Sequence, residues 1–235
     1  QNLGLRAYQK AFGQVGLAIL IAFFAYYSNL VGTSVIVPFT NITLDLGILY
    51  IPFCVFVFLA ITNSVNLLDG LDGLAGGVSF FYLIGFMGLI ALHLSVTTGQ
   101  SLNFIAEQNN LLLVSACLLG GLLVFLVLNA HPACVFMGDT GSLAIGGFIS
   151  AIAIFSRLIL YVQIIGLLYV LTSLSDIIQV LHYKRTKKRV FLMAPLHHHF
   201  EKKGVHENKI VIVYIVITIL LACLSCLIAY FTLGV

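Results

Sequence analysis

Long apolar runs dominate the chain, and short polar breaks separate them. The apolar runs extend over residues 12–30, 47–62, 76–94, 110–128, 141–156, 158–181 and 209–232. A helix that crosses a bilayer needs about 20 apolar residues, with about 17 tolerated. Two runs, 47–62 and 141–156, fall at or just under that limit, so their helices must take in residues from the neighbouring breaks. The pattern predicts an all-α polytopic membrane protein with seven transmembrane helices in this chain.

Composition supports the membrane class and narrows the partners. Apolar residues make up 61% of the chain, and the mean hydropathy of +1.13 lies above that of soluble domains. The net charge of +3 follows from the loops that flank the spans, so it requires no nucleic-acid partner. Most of the five cysteines lie within apolar runs, which excludes a disulfide framework of the secreted kind.

The positions of Lys and Arg predict the orientation. Ten of the 11 fall on the side that also holds the polar breaks 63–75, 129–142 and 182–208, and Arg157 alone falls on the other side. The positive-inside rule makes the first side cytoplasmic. The three breaks are therefore predicted to form site loops on one membrane face. On the outer side, residues 33–46 alternate around Pro38 and Asn41 and predict a short β-hairpin.

The first polar break, residues 63–73 (NSVNLLDGLDG), carries two carboxylates. On a helical turn Asp69 and Asp72 would share a face, about 5–6 Å apart at Cβ. Two carboxylates so close repel each other, and Mg²⁺ bound to acids and phosphate oxygens would relieve that repulsion. The alternative is that the Asp-Gly pairs are ordinary turn formers and Asn66 is a helix cap.

The second break ends in residues 136–142 (FMGDTGS) and offers a third acid. Asp139 reads as a first-turn acid, with Thr140 and Ser142 satisfying the end amides of the next helix. That role is compatible with metal binding. Phe136 is placed either to stack on a base or to anchor the chain at the interface.

The third break contains three successive histidines, residues 197–199. Neighbouring side chains diverge, so the triplet cannot converge on one metal, and a zinc site would need other ligands such as Cys134. The favoured interpretation is that these histidines donate hydrogen bonds to phosphate or form part of the scaffold of the site. Upstream, Asp176 and Gln179 share a helical face, and the basic run 184–189 either anchors the topology or attracts an anionic headgroup.

Taken together, the breaks resemble the polyprenyl-phosphate N-acetylhexosamine-1-phosphate transferases. Residues 66–73 (NLLDGLDG) resemble the NxxDGxDG element of that superfamily, and residues 136–142 its FMGDTGS element. Residues 195–201 (PLHHHFE) resemble the phospho-N-acetylmuramoyl-pentapeptide-transferase branch, as do residues 2–5 with Lys10. The resemblance covers essentially the whole chain, and three linked motifs in order are highly specific.

The resemblance implies an activity. Phospho-MurNAc-pentapeptide would pass from a UDP-MurNAc-pentapeptide donor to undecaprenyl phosphate, giving lipid I and UMP in peptidoglycan biosynthesis. The enzyme would lie in the bacterial plasma (inner) membrane, with its active site on the cytoplasmic face. Its cofactor would be Mg²⁺. Membrane lipid would be a further partner. Nucleoside inhibitors such as tunicamycin are expected ligands, and a homodimer is the expected assembly.

The resemblance also implies residue roles. Asp139 would bind the metal and, with Asp69 and His198, carry the catalytic step. The expected substrate contacts are Lys10, Asn66, Gly70, Leu71, Asp72, Asn129, Phe136, Gln179, His197 and His199. Among them Gly70, Leu71 and Asp72 would read the uracil edge while Phe136 stacks on the base, and His197 and His199 would support His198.

The family has about ten spans and an Asp-Asp-x-x-Asp motif at the end of the third, and the seven spans here lack that motif. Residues 1–235 are therefore expected to be a single transmembrane domain, the C-terminal part of a larger one and inactive alone. A base or nucleophile role would belong to the absent acids. One-step attack is favoured over a covalent intermediate because a lipid phosphate is already a nucleophile.

Two other functions compete with this one. Another UDP-sugar:polyprenyl-phosphate sugar-1-phosphate transferase would share the first two breaks, and competition between UDP-sugars would separate the two. A membrane transporter would also explain Asp176 and the loop acids, but it predicts solute flux without UMP release.

Overall fold

The computed structural model describes residues 7–40, 42–96 and 101–233, and this part of the chain is almost entirely helical. Its helices are α1 (Ala7–Tyr27), α2 (Tyr50–Leu68), α3 (Leu74–Val96), α4 (Leu102–Asn129), α5 (Gly138–Phe155), α6 (Val162–Ile165), α7 (Leu167–Thr186), α8 (Leu196–Lys202) and α9 (Glu207–Leu233). The stretch at residues 2–5 and Arg6 lies outside the described residues.

The prediction of seven spans is confirmed, with one correction. Six of the described helices are long and apolar enough to cross a membrane by themselves. The remaining predicted span, which is the sixth along the chain, is broken: the segment Ile159–Ile165 meets α7 at an angle of 77°. The break falls at Gly166, where a Cβ would lie 2.6 Å from the carbonyl oxygen of Val162. An apolar run that continues through a bend gives no sequence signal of it, so the sequence predicted one continuous helix.

Several helix boundaries differ from the predicted runs. The second span includes residues 63–68 of the first polar break and reaches 22 residues, as its short apolar run required. Helix α4 begins at Leu102, eight residues before its apolar run, because the side chain of Ser101 caps it by accepting from the amide of Phe104 at 3.3 Å.

The predicted hairpin is present. Strand β1 (Ser34–Ile36) pairs antiparallel with β2 (Thr43–Asp45), and Ser34 lies opposite Asp45. Asn41 lies outside the described residues. At the same end of the bundle the guanidinium of Arg157 donates to the carbonyl oxygen of Leu30 at 2.6 Å.

Two closely packed helix pairs, α2 with α5 and α3 with α9, form the frame of the bundle. Glycine permits both crossings. A Cβ on Gly146 would lie 2.6 Å from the Cα of Thr62, and one on Gly85 would lie 2.3 Å from the Cβ of Ala222. Close backbone approach at small residues is how helices pack in lipid, where the hydrophobic effect does not drive them together. The loop between α2 and α3, residues 69–73, joins the two pairs and meets the starts of α5 and α9.

Candidate active site

An ion pair and a hydrogen bond join α1, α2 and α5 at one end of the bundle. The ammonium of Lys10 pairs with Oδ2 of Asp139. Nδ2 of Asn66 donates to the other oxygen, Oδ1, at 3.0 Å. Both oxygens of this carboxylate therefore face donors, and half of the side chain stays accessible to solvent. The sequence predicted all three residues as members of one site, and the structure brings them together.

Ser142 fixes Asn66 from behind. Its hydroxyl is fully buried, accepts from Nδ2 of Asn66 at 2.8 Å and donates to the carbonyl oxygen of Gly138 at 3.0 Å. The expectation that Thr140 and Ser142 satisfy end amides of the helix is wrong, since α5 has no side-chain cap. The Ser142 hydroxyl instead donates to a backbone carbonyl oxygen. Its oxygen is then free to accept from Asn66, and this contact orients Asn66.

Asp69 follows α2 directly and is electrostatically coupled to Asp139. Burial and then the charge of Asp139 raise the pKa of the Asp69 carboxyl from 3.8 to about 6. Asp69 and Asp72 line the same cleft, but the side chain of Asp72 turns towards His131. The two acids that act on each other come from different breaks.

The first and third breaks meet at a glycine. A Cβ on Gly70 would lie 2.5 Å from Nε2 of His197 and 2.8 Å from Nε2 of His198. Both imidazoles therefore pack directly against the backbone at Gly70, and no larger residue fits without moving them. Two of the three predicted histidines lie at the same loop as Asp69.

The prediction that the histidine side chains diverge is wrong for His197 and His198, whose ring centroids lie 4.4 Å apart, although the three rings differ in their hydrogen bonds. His197 is fully buried, its ring nitrogens have no hydrogen-bond partner among the described residues, and burial lowers its pKa to about 3. Nδ1 of His198 lies 2.8 Å from Oε2 of Glu201, which leaves Nε2 directed at Gly70. Nδ1 of His199 accepts from the amide of Leu192 at 3.1 Å, so this ring holds the preceding loop.

Asp72 lies in a cluster that the sequence analysis missed. Its Oδ2 lies 3.2 Å from Nδ1 of His131, and the same nitrogen lies 3.3 Å from Oε2 of Glu207. One ligand atom from each of the three residues lies within 4.8 Å of the others, so this set has the composition and spacing to hold a cation. The positions of these residues in the sequence could have indicated the cluster, since His131 lies inside the second break and Glu207 is the first-turn acid of α9.

Asn129 links the first two breaks. Its Oδ1 accepts from the amide of Gly73 at 2.9 Å, and its Nδ2 donates to the carbonyl oxygen of Val135 at 2.8 Å. Gly73 has φ +77°, a conformation that favours glycine. The amide of Asn129 is thus engaged within the protein, where it fixes the loop that carries Phe136.

Two cavities flank this network, and a third lies apart. A cleft of about 260 Å³ is lined by Asp69, Gly70, Leu71, Asp72, Asn129, Phe136, Met137 and Gly138. A second groove, of about 450 Å³, is lined by Asn66 and Lys10. Gln179 lines a separate cavity of about 520 Å³ with Asp176, and it bonds to the backbone of Val190 and Phe191. Gln179 therefore lies apart from the cleft.

The chain is similar to known proteins along nearly all of its length. The family description "Glycosyl transferase family 4" matches residues 2–157. A phospho-N-acetylmuramoyl-pentapeptide-transferase from Thermoanaerobacter sp. (strain X514) is 50% identical over 224 residues, which are 95% of this chain and 66% of that protein. Enzymes of the same name from Clostridium kluyveri (strain ATCC 8527) and Clostridioides difficile (strain 630) are 46% and 43% identical over 99% and 96% of this chain, and over 68% and 66% of their own lengths.

The chain therefore spans about two thirds of the length of these relatives. Identity of 43% to 50% along nearly all of its length includes the three polar breaks, whose residues meet at one end of the bundle. The chain belongs to glycosyl transferase family 4 and, within it, to the phospho-N-acetylmuramoyl-pentapeptide-transferases.

Proposed function

We propose that the protein transfers phospho-MurNAc-pentapeptide from a UDP donor to undecaprenyl phosphate, forming lipid I and UMP. The observation that carries the proposal is the meeting of Lys10, Asn66 and Asp139, with Gly70 and His198 on the same loop network. Lys10 comes from α1 and the others come from the three breaks, and together they supply a cation, a carboxylate and an imidazole beside a place for phosphates.

The acids at this site fit a divalent cation. Asp139 already has a cationic partner in Lys10, and the charge of Asp139 raises the pKa of Asp69. A second cation beside the two carboxylates would relieve that repulsion, and Mg²⁺ accepts carboxylate and phosphate oxygens. We assign Asp139 as the metal ligand, with Asp69 and Asn66 ordering the donor phosphates. When bound, Mg²⁺ would neutralise charge on the two phosphates and stabilise the leaving UMP.

The transfer is a substitution at the phosphorus that carries the sugar. An oxygen of the lipid phosphate forms a bond to that phosphorus, and the bond from the same phosphorus to the bridging oxygen of UMP breaks. The lipid diphosphate sugar and UMP then account for all atoms. Lys10 lies where it would bind acceptor or donor phosphate, and Nε2 of His198 would contact a donor phosphate beside Gly70. A single displacement needs no enzyme nucleophile.

The cleft beside Phe136 suits the base of the donor. It is lined by the backbone of Gly70 and Leu71, by Asp72 and by the exposed ring of Phe136. Backbone groups can read the edge of a uracil, and an aromatic ring can stack on its face. Asn129 would shape this cleft, His197 and His199 would support His198, and Gln179 would contact the donor peptide or sugar from the neighbouring cavity.

We place the site on the cytoplasmic face of the bacterial plasma membrane. Ten of the 11 Lys and Arg lie on the side of the polar breaks, and the basic run 184–189 follows α7 on that side. A nucleotide-linked donor is water-soluble, whereas the polyprenyl acceptor stays in the bilayer. A homodimer and binding of nucleoside inhibitors such as tunicamycin complete the proposal.

The test is turnover by the purified protein. UMP release from UDP-MurNAc-pentapeptide should require both undecaprenyl phosphate and Mg²⁺, and chelation should abolish it. UDP-GlcNAc at equal concentration should not compete. Preferential use of UDP-GlcNAc would assign a different donor, and solute flux in vesicles without UMP release would favour a transporter.

A further inference from the structure

Asp72 joins three segments that lie far apart in the sequence. Its Oδ2 accepts from the amide of Ala133 at 3.0 Å and lies 3.2 Å from Nδ1 of His131, in the second break. Its own amide donates to Oε1 of Glu207, the first residue of α9, at 2.7 Å. The loop of residues 69–73 is thereby tied through one residue to the second break and to the last span.

His131 connects the two acids of this junction. Its Nδ1 lies 3.2 Å from Oδ2 of Asp72 and 3.3 Å from Oε2 of Glu207. Because Oδ2 of Asp72 is an acceptor, Nδ1 carries a proton in this arrangement and donates it to Asp72, while the Glu207 carboxylate lies at ion-pair distance. Glu207 uses its two oxygens on different partners, one on the amide of Asp72 and one on the imidazole. All three side chains are partly buried, which strengthens these contacts relative to bulk water.

The loop needs such external contacts to hold one conformation. Gly70 and Gly73 flank Leu71 and Asp72, and glycine leaves the backbone more freedom than any other residue. The loop also lines the cleft beside Phe136, where the proposed function places the base of the donor. Its conformation therefore sets the shape of the nucleotide site.

We propose that Glu207 and His131 are positioning residues that hold the loop of residues 69–73 in its nucleotide-binding conformation. The inference rests on the proposed function for the identity of the ligand, a uridine nucleotide. Neither side chain lines the cleft, so each acts through Asp72. The start of the last span thus determines how the first polar break binds the donor.

The test uses four variants of the full-length protein and one control. Glu207→Ala and His131→Ala remove the contacts. Glu207→Gln keeps an oxygen that accepts from the Asp72 amide, and His131→Asn keeps a donor near the position of Nδ1. Glu107→Gln, an acid on α4 at the opposite end of the bundle, is the matched control. The measurements are the Kd of UDP by calorimetry, the KM for donor and for acceptor, and kcat.

Both alanine variants should raise the Kd of UDP and the donor KM about tenfold or more, because the loop samples other conformations before it binds. The acceptor KM should stay within about twofold of wild type. Glu207→Gln and His131→Asn should recover most of the affinity, and Glu107→Gln should behave as wild type.

Several outcomes would overturn the inference. If both alanine variants bind UDP as tightly as wild type does, Glu207 and His131 do not position the loop. If the wild-type protein does not bind UDP, the ligand is not a uridine nucleotide. A fall in kcat with both KM values unchanged would indicate a loss of folded protein only. Stoichiometric divalent metal that is lost in Glu207→Ala would replace the hydrogen-bond account. If wild type binds UDP but releases no UMP from the donor, the proposed function fails, and the Kd ratios still decide the role of Glu207 and His131.

Discussion

Nδ2 of Asn66 lies 3.0 Å from Oδ1 of Asp139, although 73 residues separate the two along the chain. The bond joins the end of α2 to the first turn of α5, and these helices pack closely at Gly146. Because the amide of Asn66 is held by Ser142, the carboxylate of Asp139 has a fixed direction. A metal ligand needs that kind of support.

Replacing Asp139 with Asn should remove most Mg²⁺-dependent UMP release and leave the fold intact. Loss of a metal ligand at a phosphoryl-transfer site removes several kcal/mol of transition-state stabilisation, roughly a 100-fold loss or more in kcat. Turnover should be measured across a Mg²⁺ titration, with Asp45→Asn on the outer hairpin as the control. Near-normal turnover of well-folded Asp139→Asn protein would move the metal site elsewhere.

Asp69→Asn should stabilise the protein while lowering its activity. The folded-state pKa of Asp69 is raised to about 6, so the folded protein binds this proton more tightly than the unfolded chain does. Its contribution to stability is therefore lost as the pH rises from about 4 through about 6. At pH 7.5 the variant should melt at a higher temperature than wild type, and at pH 4 the difference should vanish. An unchanged or lower Tm at pH 7.5 would contradict the raised pKa.

Gly70→Ala should impair the site by steric conflict. The new methyl group would lie 2.5 Å from Nε2 of buried His197 and 2.8 Å from Nε2 of His198, so both rings must move. Donor KM should rise about tenfold, with a smaller change in thermal stability. The control is Gly120→Ala in α4, where a Cβ has no neighbour within 4 Å and helix propensity improves. Equal kinetics for the two variants would show that the rings can move without cost.

His198→Ala should lower turnover at least about tenfold, since a hydrogen bond to a charged group contributes roughly 1.5–3 kcal/mol. His182→Ala, an exposed histidine of α7, serves as the control. Elemental analysis of wild type belongs to the same experiment. Stoichiometric zinc, with unfolding by chelator, would establish a structural metal site in place of phosphate contact.

Cys134 offers a direct test of the orientation. It is exposed and lies in the second polar break, between His131 and Phe136. In a variant without the other four cysteines, a membrane-impermeant maleimide should label it in inverted vesicles and not in intact cells. An introduced cysteine at Asp45 should give the opposite result. Labelling of Cys134 from outside would reverse the predicted topology.

The spans and the shared end of the polar breaks could be predicted because each depends on local composition. Apolar length predicted the helices, and the distribution of Lys and Arg placed the breaks on one side. The partners of Asp72 could not be predicted, because His131 and Glu207 lie 59 and 135 residues away and no periodicity connects them. The bend at Gly166 was missed because its flanks are equally apolar, and the first turns of α4 because Asn103, Glu107 and Gln108 resemble a loop.

The bend at Gly166 leaves an apolar groove beside the break in the span. A groove of about 260 Å³ opens sideways between α2 and the bent segment, lined by apolar side chains and reaching Ser64, two residues before Asn66. Under the proposed function, the apolar lining of this groove would suit part of the polyprenyl tail of the acceptor. The broken span therefore gives the bundle an apolar recess that is separate from the polar cleft of residues 69–72 and 136–138.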